Sequence, residues 1–135
     1  MIRFTSRRKA FFAAAFLFAA PALILAKGGE TRMRTSLAGG AIAGLTPSGH
    51  ADYRASEGRA RLNVEVEDVN LAAGAKVSVT VDGQEIGSIT IGAAPVRGGE
   101  LELNTQDGQS VPALKTGAVV VVRNGETAIL GGVLN

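Results

Sequence analysis

The chain has 135 residues, with 14 Lys and Arg against 12 Asp and Glu, one His, one Tyr and neither Cys nor Trp. Without cysteine there can be no disulfide staple, thiolate metal site or lipidated cysteine, and with one histidine only an oxygen-ligand cation site stays open. The length suits one domain held by an aliphatic core.

The first 26 residues read as an export signal. Arg3, Arg7, Arg8 and Lys9 make a basic start, and residues 10–20, AFFAAAFLFAA, are an unbroken apolar run of the length such a signal needs. Ala26 is the expected cleavage position, and Ala20-Pro21-Ala22 is a second A-x-A site. Ser6-Arg7-Arg8 invites a twin-arginine reading, but the aromatic residue that follows, Phe11, falls one place late for it. An uncleaved anchor is the rival reading, since residues 10–26 are 17 residues, at the short edge of what spans a bilayer; Pro21 and the many alanines weaken it. Membrane contact would then come through this segment alone. Residues 27–135 are expected to form the domain, in the periplasm or outside the cell.

Cleavage changes what composition implies. The remaining chain carries 10 bases against 12 acids, near −2 where the whole is +2. The basic excess therefore belongs to the export segment and argues for no nucleic-acid partner. Phe4, Phe11, Phe12, Phe16 and Phe18 leave with it, so Tyr53 becomes the only aromatic side chain. Stacking on aromatic faces is worth about 1–3 kcal/mol per base, and one tyrosine makes a poor platform for nucleotides or sugars.

Along the mature chain, residues 27–30, KGGE, read as a frayed terminus. Met33, Thr35 and Leu37 then alternate with Arg32, Arg34 and Ser36, as in a strand with one wet face. Residues 38–49, AGGAIAGLTPSG, carry four glycines and a proline and read as a bend with Ile42 and Leu45 tucked inward. Residues 50–67 form a hairpin if Glu57-Gly58 are its loop: Ser56 then faces Arg59, Ala55 faces Ala60, Tyr53 faces Leu62 and Ala51 faces Val64. Apolar residues fall on one side, and a shift of one residue would destroy that segregation.

Residues 68–75 break the alternation and read as a connection with Val69 and Leu71 plugging the core's end. Val77, Val79 and Val81 resume the inward series, and Asp82-Gly83 signals a hairpin. A two-residue loop would send Ile89 and Ile91 to solvent, so an irregularity between Gln84 and Gly87 is predicted, returning Ile89 opposite Val77. Residues 92–99 are a loop, residues 100–104 a strand with Leu101 and Leu103 inward, and residues 105–115 an irregular stretch anchored by Val111 and Leu114. Asn124-Gly125 reads as a type I′ turn setting Val122 against Thr127, Val120 against Ile129 and Val119 against Leu130, with residues 119–122 a central or doubly covered strand.

About eight short strands at regular spacing, with no helical periodicity after the signal, predict an all-β domain. The expectation is a single antiparallel Greek-key-like β-sandwich after an N-terminal signal helix, with a small closed barrel as the alternative.

Few residues suggest chemistry. Ser48, His50 and Asp52 share a strand face, about 7 Å apart in succession, whereas a working triad needs contacts of about 2.6–3.2 Å. Surface and turn roles fit them better. Glu65, Glu67 and Asp68 come close together, as do Glu100 and Glu102, but form no dense calcium loop; Glu65 and Glu67 share an exposed face and read as solubilising charge paired with Lys76 or Arg61. The glycine-rich bend lacks a phosphate loop's lysine and hydroxyl. No catalytic residue, metal ligand or cofactor is assigned.

The hairpin's polar side, comprising His50, Asp52, Arg54, Arg61, Asn63 and Glu65, is the most concentrated polar surface and the candidate binding face. Arg54 opposite Arg61 is unfavourable unless Asp52, diagonal to Arg61, compensates. The leading expectation is an exported, non-enzymatic binding or structural module with an unknown protein partner. The alternative is a self-associating envelope or fibre subunit pairing through residues 31–37 or 127–134 as edges, and a hydrolase comes third.

The stretch RLNVEVEDVNLAAGAKVSVTVDGQEIGSITI, followed by GELELNTQDGQSVPALKTGAVVVV, resembles a loose group of small exported bacterial β-sandwich proteins of uncharacterised function. There is a fainter similarity to CHRD-type secreted domains, whose members share the alternating strands and inter-strand loops. Both resemblances imply an exported β-fold, and neither supplies site residues.

Overall fold

Period-two alternation of apolar and polar residues is realised as strands throughout the computed structural model, which describes residues 29–135. The expected export segment, residues 1–26, lies outside the described residues. The strands are β1 (Thr31–Ala38), β2 (Ser48–Ser56), β3 (Arg59–Glu67), β4 (Lys76–Val81), β5 (Gln84–Thr90), β6 (Gly99–Asn104), β7 (Val119–Asn124) and β8 (Thr127–Val133). The helical content among the described residues is a single 3-10 turn, Thr105–Asp107.

All ladders are antiparallel, and they join into one sheet of eight strands in the order β5-β4-β7-β8-β1-β2-β3-β6. This corrects the expectation of a two-sheet sandwich: the hydrogen bonding is continuous, and the sheet is barrel-like. Its two ends are brought together where side chains are missing. A Cβ on Gly87 of β5 would meet the methyl groups of Leu101 on β6, and one on Gly99 of β6 would meet Ile89 and the Thr90 carbonyl of β5. Beyond the strands, the Gly92 N–H donates to the Gly98 carbonyl at 2.9 Å. Glycine lets backbones approach here because nothing projects into the seam.

The inner face is aliphatic. Leu62, Val64, Val77, Val79, Ile89, Ile91, Val120, Val122 and Leu134 are fully buried, with Tyr53 packed among them. Burial of this apolar surface drives the fold, and any one-residue slip in register would turn a whole strand's apolar set outward.

The register around Glu57-Gly58 is the one that parity predicts: Ser56 pairs Arg59, Tyr53 pairs Leu62 and Ala51 pairs Val64. Asp82 and Gly83 both take positive φ, 51° and 87°, as a type I′ turn requires. The predicted irregularity also falls in place: Thr80 pairs Glu85 and Val79 pairs Gly87, so Ile86 is the extra residue and Ile89 returns opposite Val77.

The last hairpin differs. Asn124 pairs Thr127, so the loop is Gly125-Glu126 rather than Asn124-Gly125, and the register skips Ile129 so that Val122 pairs Leu130. Positive φ falls on Gly125, at 65°, and not on Glu126, the pattern of a type II′ turn with glycine in its first central position. The irregularity lets consecutive Ile129 and Leu130 both sink into the core. Strand β7 is central, between β4 and β8, but it is covered on one face only: Val119 is 41% exposed and its partner Val133 44%.

Strands β1 and β8 are interior neighbours of each other, so residues 31–37 and 127–134 do not present the edges expected of them. Three loops at one end of the sheet are tied by a single side chain. The Asn70 amide nitrogen donates to the carbonyls of Ile42 and Ala43, each at 3.3 Å, and its oxygen accepts from Arg97 Nη1 at 3.2 Å.

Candidate functional site

The six candidate residues lie together on the outer face of β2 and β3. The ladders extend that face across four strands. Arg32, Arg54, Arg61 and Asn104 form one row across β1, β2, β3 and β6; Arg34, Asp52, Asn63 and Glu102 form the next; Ser36, His50, Glu65 and Glu100 form the third. Period two puts every member outward, because the residues between them carry the core.

Charge contacts run mostly across strands. Asp52 Oδ2 lies 3.3 Å from Arg34 Nε, and its Oδ1 lies 4.0 Å from Arg54 Nε. Arg61 Nε reaches Glu102 Oε2 at 2.9 Å, His50 Nε2 lies 3.2 Å from Glu65 Oε1, and the Asn63 side-chain amide donates to Glu100. Sequence reasoning had Asp52 offsetting Arg61 and Glu65 paired with Lys76 or Arg61. Instead Asp52 sits between Arg34 and Arg54, and Glu102 of β6 takes Arg61. Asp52 meets Arg34 directly opposite it and Arg54 two residues along its own strand, while Glu102 reaches Arg61 on the diagonal, within range of two long side chains.

These pairs are solvated. Arg34 keeps 66% of its side chain exposed and Arg61 50%, so each pair contributes about 0–1 kcal/mol at most. Their significance is arrangement rather than stability. His50, Asp52, Arg54, Arg61 and Asn63 line a shallow depression of about 160 Å³. Imidazole, carboxylate, guanidinium and amide groups line it together.

The Ser48-His50-Asp52 arrangement does not assemble into a relay. Among the described residues, the polar side-chain contact of His50 is Glu65, and those of Asp52 are Arg34 and Arg54. A nucleophile, its base and the orienting acid must contact one another in series. No group of three or more His, Cys, Asp and Glu among the described residues is placed to hold a metal ion.

Arg32, Arg34, Glu100 and Glu102 belong to the same face and were not among the candidates. Their local signal was present: the arginines flank Met33, and the glutamates flank Leu101, each set alternating with a core residue. What was missing was adjacency, since β1 and β6 meet the central hairpin only through the sheet order. No family model matches the chain, and no curated protein matches it.

Proposed function

We propose that this chain is an exported, non-enzymatic binding module whose ligand face is the outer surface of β1, β2, β3 and β6. The observation that carries the reading is that one solvated face gathers the polar side chains into graded rows around a shallow depression, with no nucleophile-base pair among them. The export segment at residues 1–26 supports a periplasmic or secreted location, and the β-pattern resemblance to small exported bacterial proteins points the same way. The chain path is Greek-key-like on this reading, because the connections after β3 and after β6 each pass two strands across the seam.

A hydrolase screen with the wild type and His50→Ala tests the non-enzymatic reading: neither protein should turn over any substrate, and a turnover lost in His50→Ala overturns it. A self-associating envelope subunit is the second reading, favoured by the paired, exposed Val119 and Val133. A purified chain that stays monomeric at high concentration removes it.

A further inference from the structure

The outer face is not uniform, and its asymmetry bears on what it binds. We infer, resting on the binding-module reading, that its arginine end is a recognition site for a narrow linear polyanion, an acidic polysaccharide carrying sulfate or carboxylate groups.

Cations are concentrated there. Residues 29–135 hold nine Lys and Arg against 12 Asp and Glu, yet Arg32, Arg34, Arg54, Arg59 and Arg61 all stand on β1, β2 and β3. Arg32, Arg54 and Arg61 occupy one row on adjacent strands, and Arg59 lies two residues before Arg61 on the same face. With strands about 4.8 Å apart and about 3.3 Å per residue, the four side chains spring from an area of about 10 by 7 Å.

Like charges in directly opposite positions repel. The local acids answer only part of this. Arg61 has Glu102, and Arg34 and Arg54 share Asp52, while Arg32 and Arg59 have no carboxylate within ion-pair distance among the described residues. A chain of anionic groups laid along the row relieves that repulsion. It also meets guanidinium forks, whose planar donors match sulfate and carboxylate oxygens two at a time.

The rest of the face selects the shape of the ligand. Glu102 lies one row from the arginines, and Glu65 and Glu100 lie two rows away, about 14 Å along the strands. A broad anionic surface, such as a bilayer or a nucleic-acid duplex, would cover these glutamates along with the arginines and be repelled. A narrow polymer crossing the strands along the arginine row stays clear of Glu65 and Glu100 and meets only the adjacent row, where Glu102 and Asp52 are already paired with Arg61, Arg34 and Arg54. Stacking is not available to help: Tyr53 is the only aromatic side chain among the described residues, and it is buried inside the barrel. This disfavours neutral sugars and single-stranded nucleic acid, which draw on aromatic platforms.

The test is titration of the purified protein with heparin and with polygalacturonate, against neutral dextran, single-stranded DNA and anionic lipid vesicles. One of the two acidic polysaccharides should bind, and dextran should not. Affinity should fall with salt, and the slope should lessen by about 0.7 for each arginine removed, as for a single-stranded polyanion. Arg54→Ala with Arg61→Ala should weaken binding at least about tenfold. Arg32→Ala, which disturbs no ion pair, should also weaken it, and Arg123→Ala on β7 should leave it unchanged. Circular dichroism confirms that each variant is folded.

Failure of both acidic polysaccharides to bind at low salt overturns the inference, as does binding indifferent to Arg32, Arg54 and Arg61. Equal or tighter binding to single-stranded DNA or to the vesicles overturns it as well. Those failures leave the binding-module reading standing, whereas His50-dependent turnover would remove that reading itself.

Discussion

Tyr53→Phe isolates one hydroxyl that joins the core to the longest irregular segment. Tyr53 is 3% exposed, faces Leu62 across the β2-β3 ladder, and its hydroxyl accepts a hydrogen bond from the Leu114 N–H at 3.3 Å. That bond pins residues 105–118 over the core, where Val111 and Leu114 pack against the buried cluster. Phenylalanine keeps the ring and its burial but leaves a partly buried N–H without its acceptor. The net cost of such a bond is about 0.5–1.5 kcal/mol, and at this length about 1 kcal/mol is expected, equivalent to about 4–8 °C in Tm for a domain of this size.

The same hydroxyl gives a pH signature. Burial pushes the Tyr53 phenol above its ordinary value of 10.0, and the bond from Leu114 offsets part of that rise. A raised folded pKa means that stability is fully present below pH 10 and falls as pH climbs from there through the folded value, because the unfolded chain loses its proton first. Tyr53→Phe has no such loss, so the gap between wild type and variant should narrow above pH 10. Urea unfolding followed by circular dichroism at neutral and alkaline pH measures both effects, and amide exchange at Leu114 reports the bond directly. Parallel stabilities across the alkaline range, with unchanged exchange at Leu114, would refute the reasoning.

Asn70→Ala should cost about 1–2 kcal/mol through three long hydrogen bonds and should speed amide exchange at Ile42, Leu45 and Arg97 while sparing the β2-β3 ladder; uniform acceleration would contradict a local tie. Gly99→Ala should destabilise by about 2–3 kcal/mol and Gly87→Ala by about 1 kcal/mol or less, because the new methyl meets the Thr90 carbonyl at 2.5 Å in the first case and only the mobile end of Leu101 at 2.9 Å in the second. Equal effects in denaturant titrations would mean that the two ends of the sheet do not close on each other.

Much of the local fold was legible because one face of each strand is buried. Parity alone placed Tyr53 against Leu62 and demanded an extra residue near Ile86, since any other register exposes Ile89. The last hairpin escaped because glycine suits two loop positions. Asn124-Gly125 satisfies one turn type, Gly125-Glu126 another, and burial of both Ile129 and Leu130 chose between them. Closure of the sheet was held only as the alternative, because the strand pattern does not select it over a sandwich. It depends on Gly87 and Gly99, which in sequence look like ordinary breakers, and on ladders between strands far apart in the chain. The candidate face followed the same division: the polar residues of one hairpin could be grouped from parity, and their adjacency to Arg32, Arg34, Glu100 and Glu102 could not.

Closure also decides where recognition can occur. A sheet with free edges can add a partner's strand; here β5 and β6, the ends of the order, approach each other closely at Gly87 and Gly99, and the two segments first suspected as edges lie in the interior of the sheet. Small barrels that hold ligands do so within, yet this inner face is occupied by Leu62, Val64, Val79, Ile89, Val120 and Leu134 at no measurable exposure. With the interior filled, the proposed binding is assigned to the outer surface, where specificity would come from side chains. On that surface Arg32, Arg54, Arg59 and Arg61 at one end and Glu65 and Glu100 at the other supply a gradient that a flat, uniformly charged sheet would lack. A gradient orients whatever it binds, so exchanging Arg54 and Glu65 should alter the preference of the face and not merely its affinity.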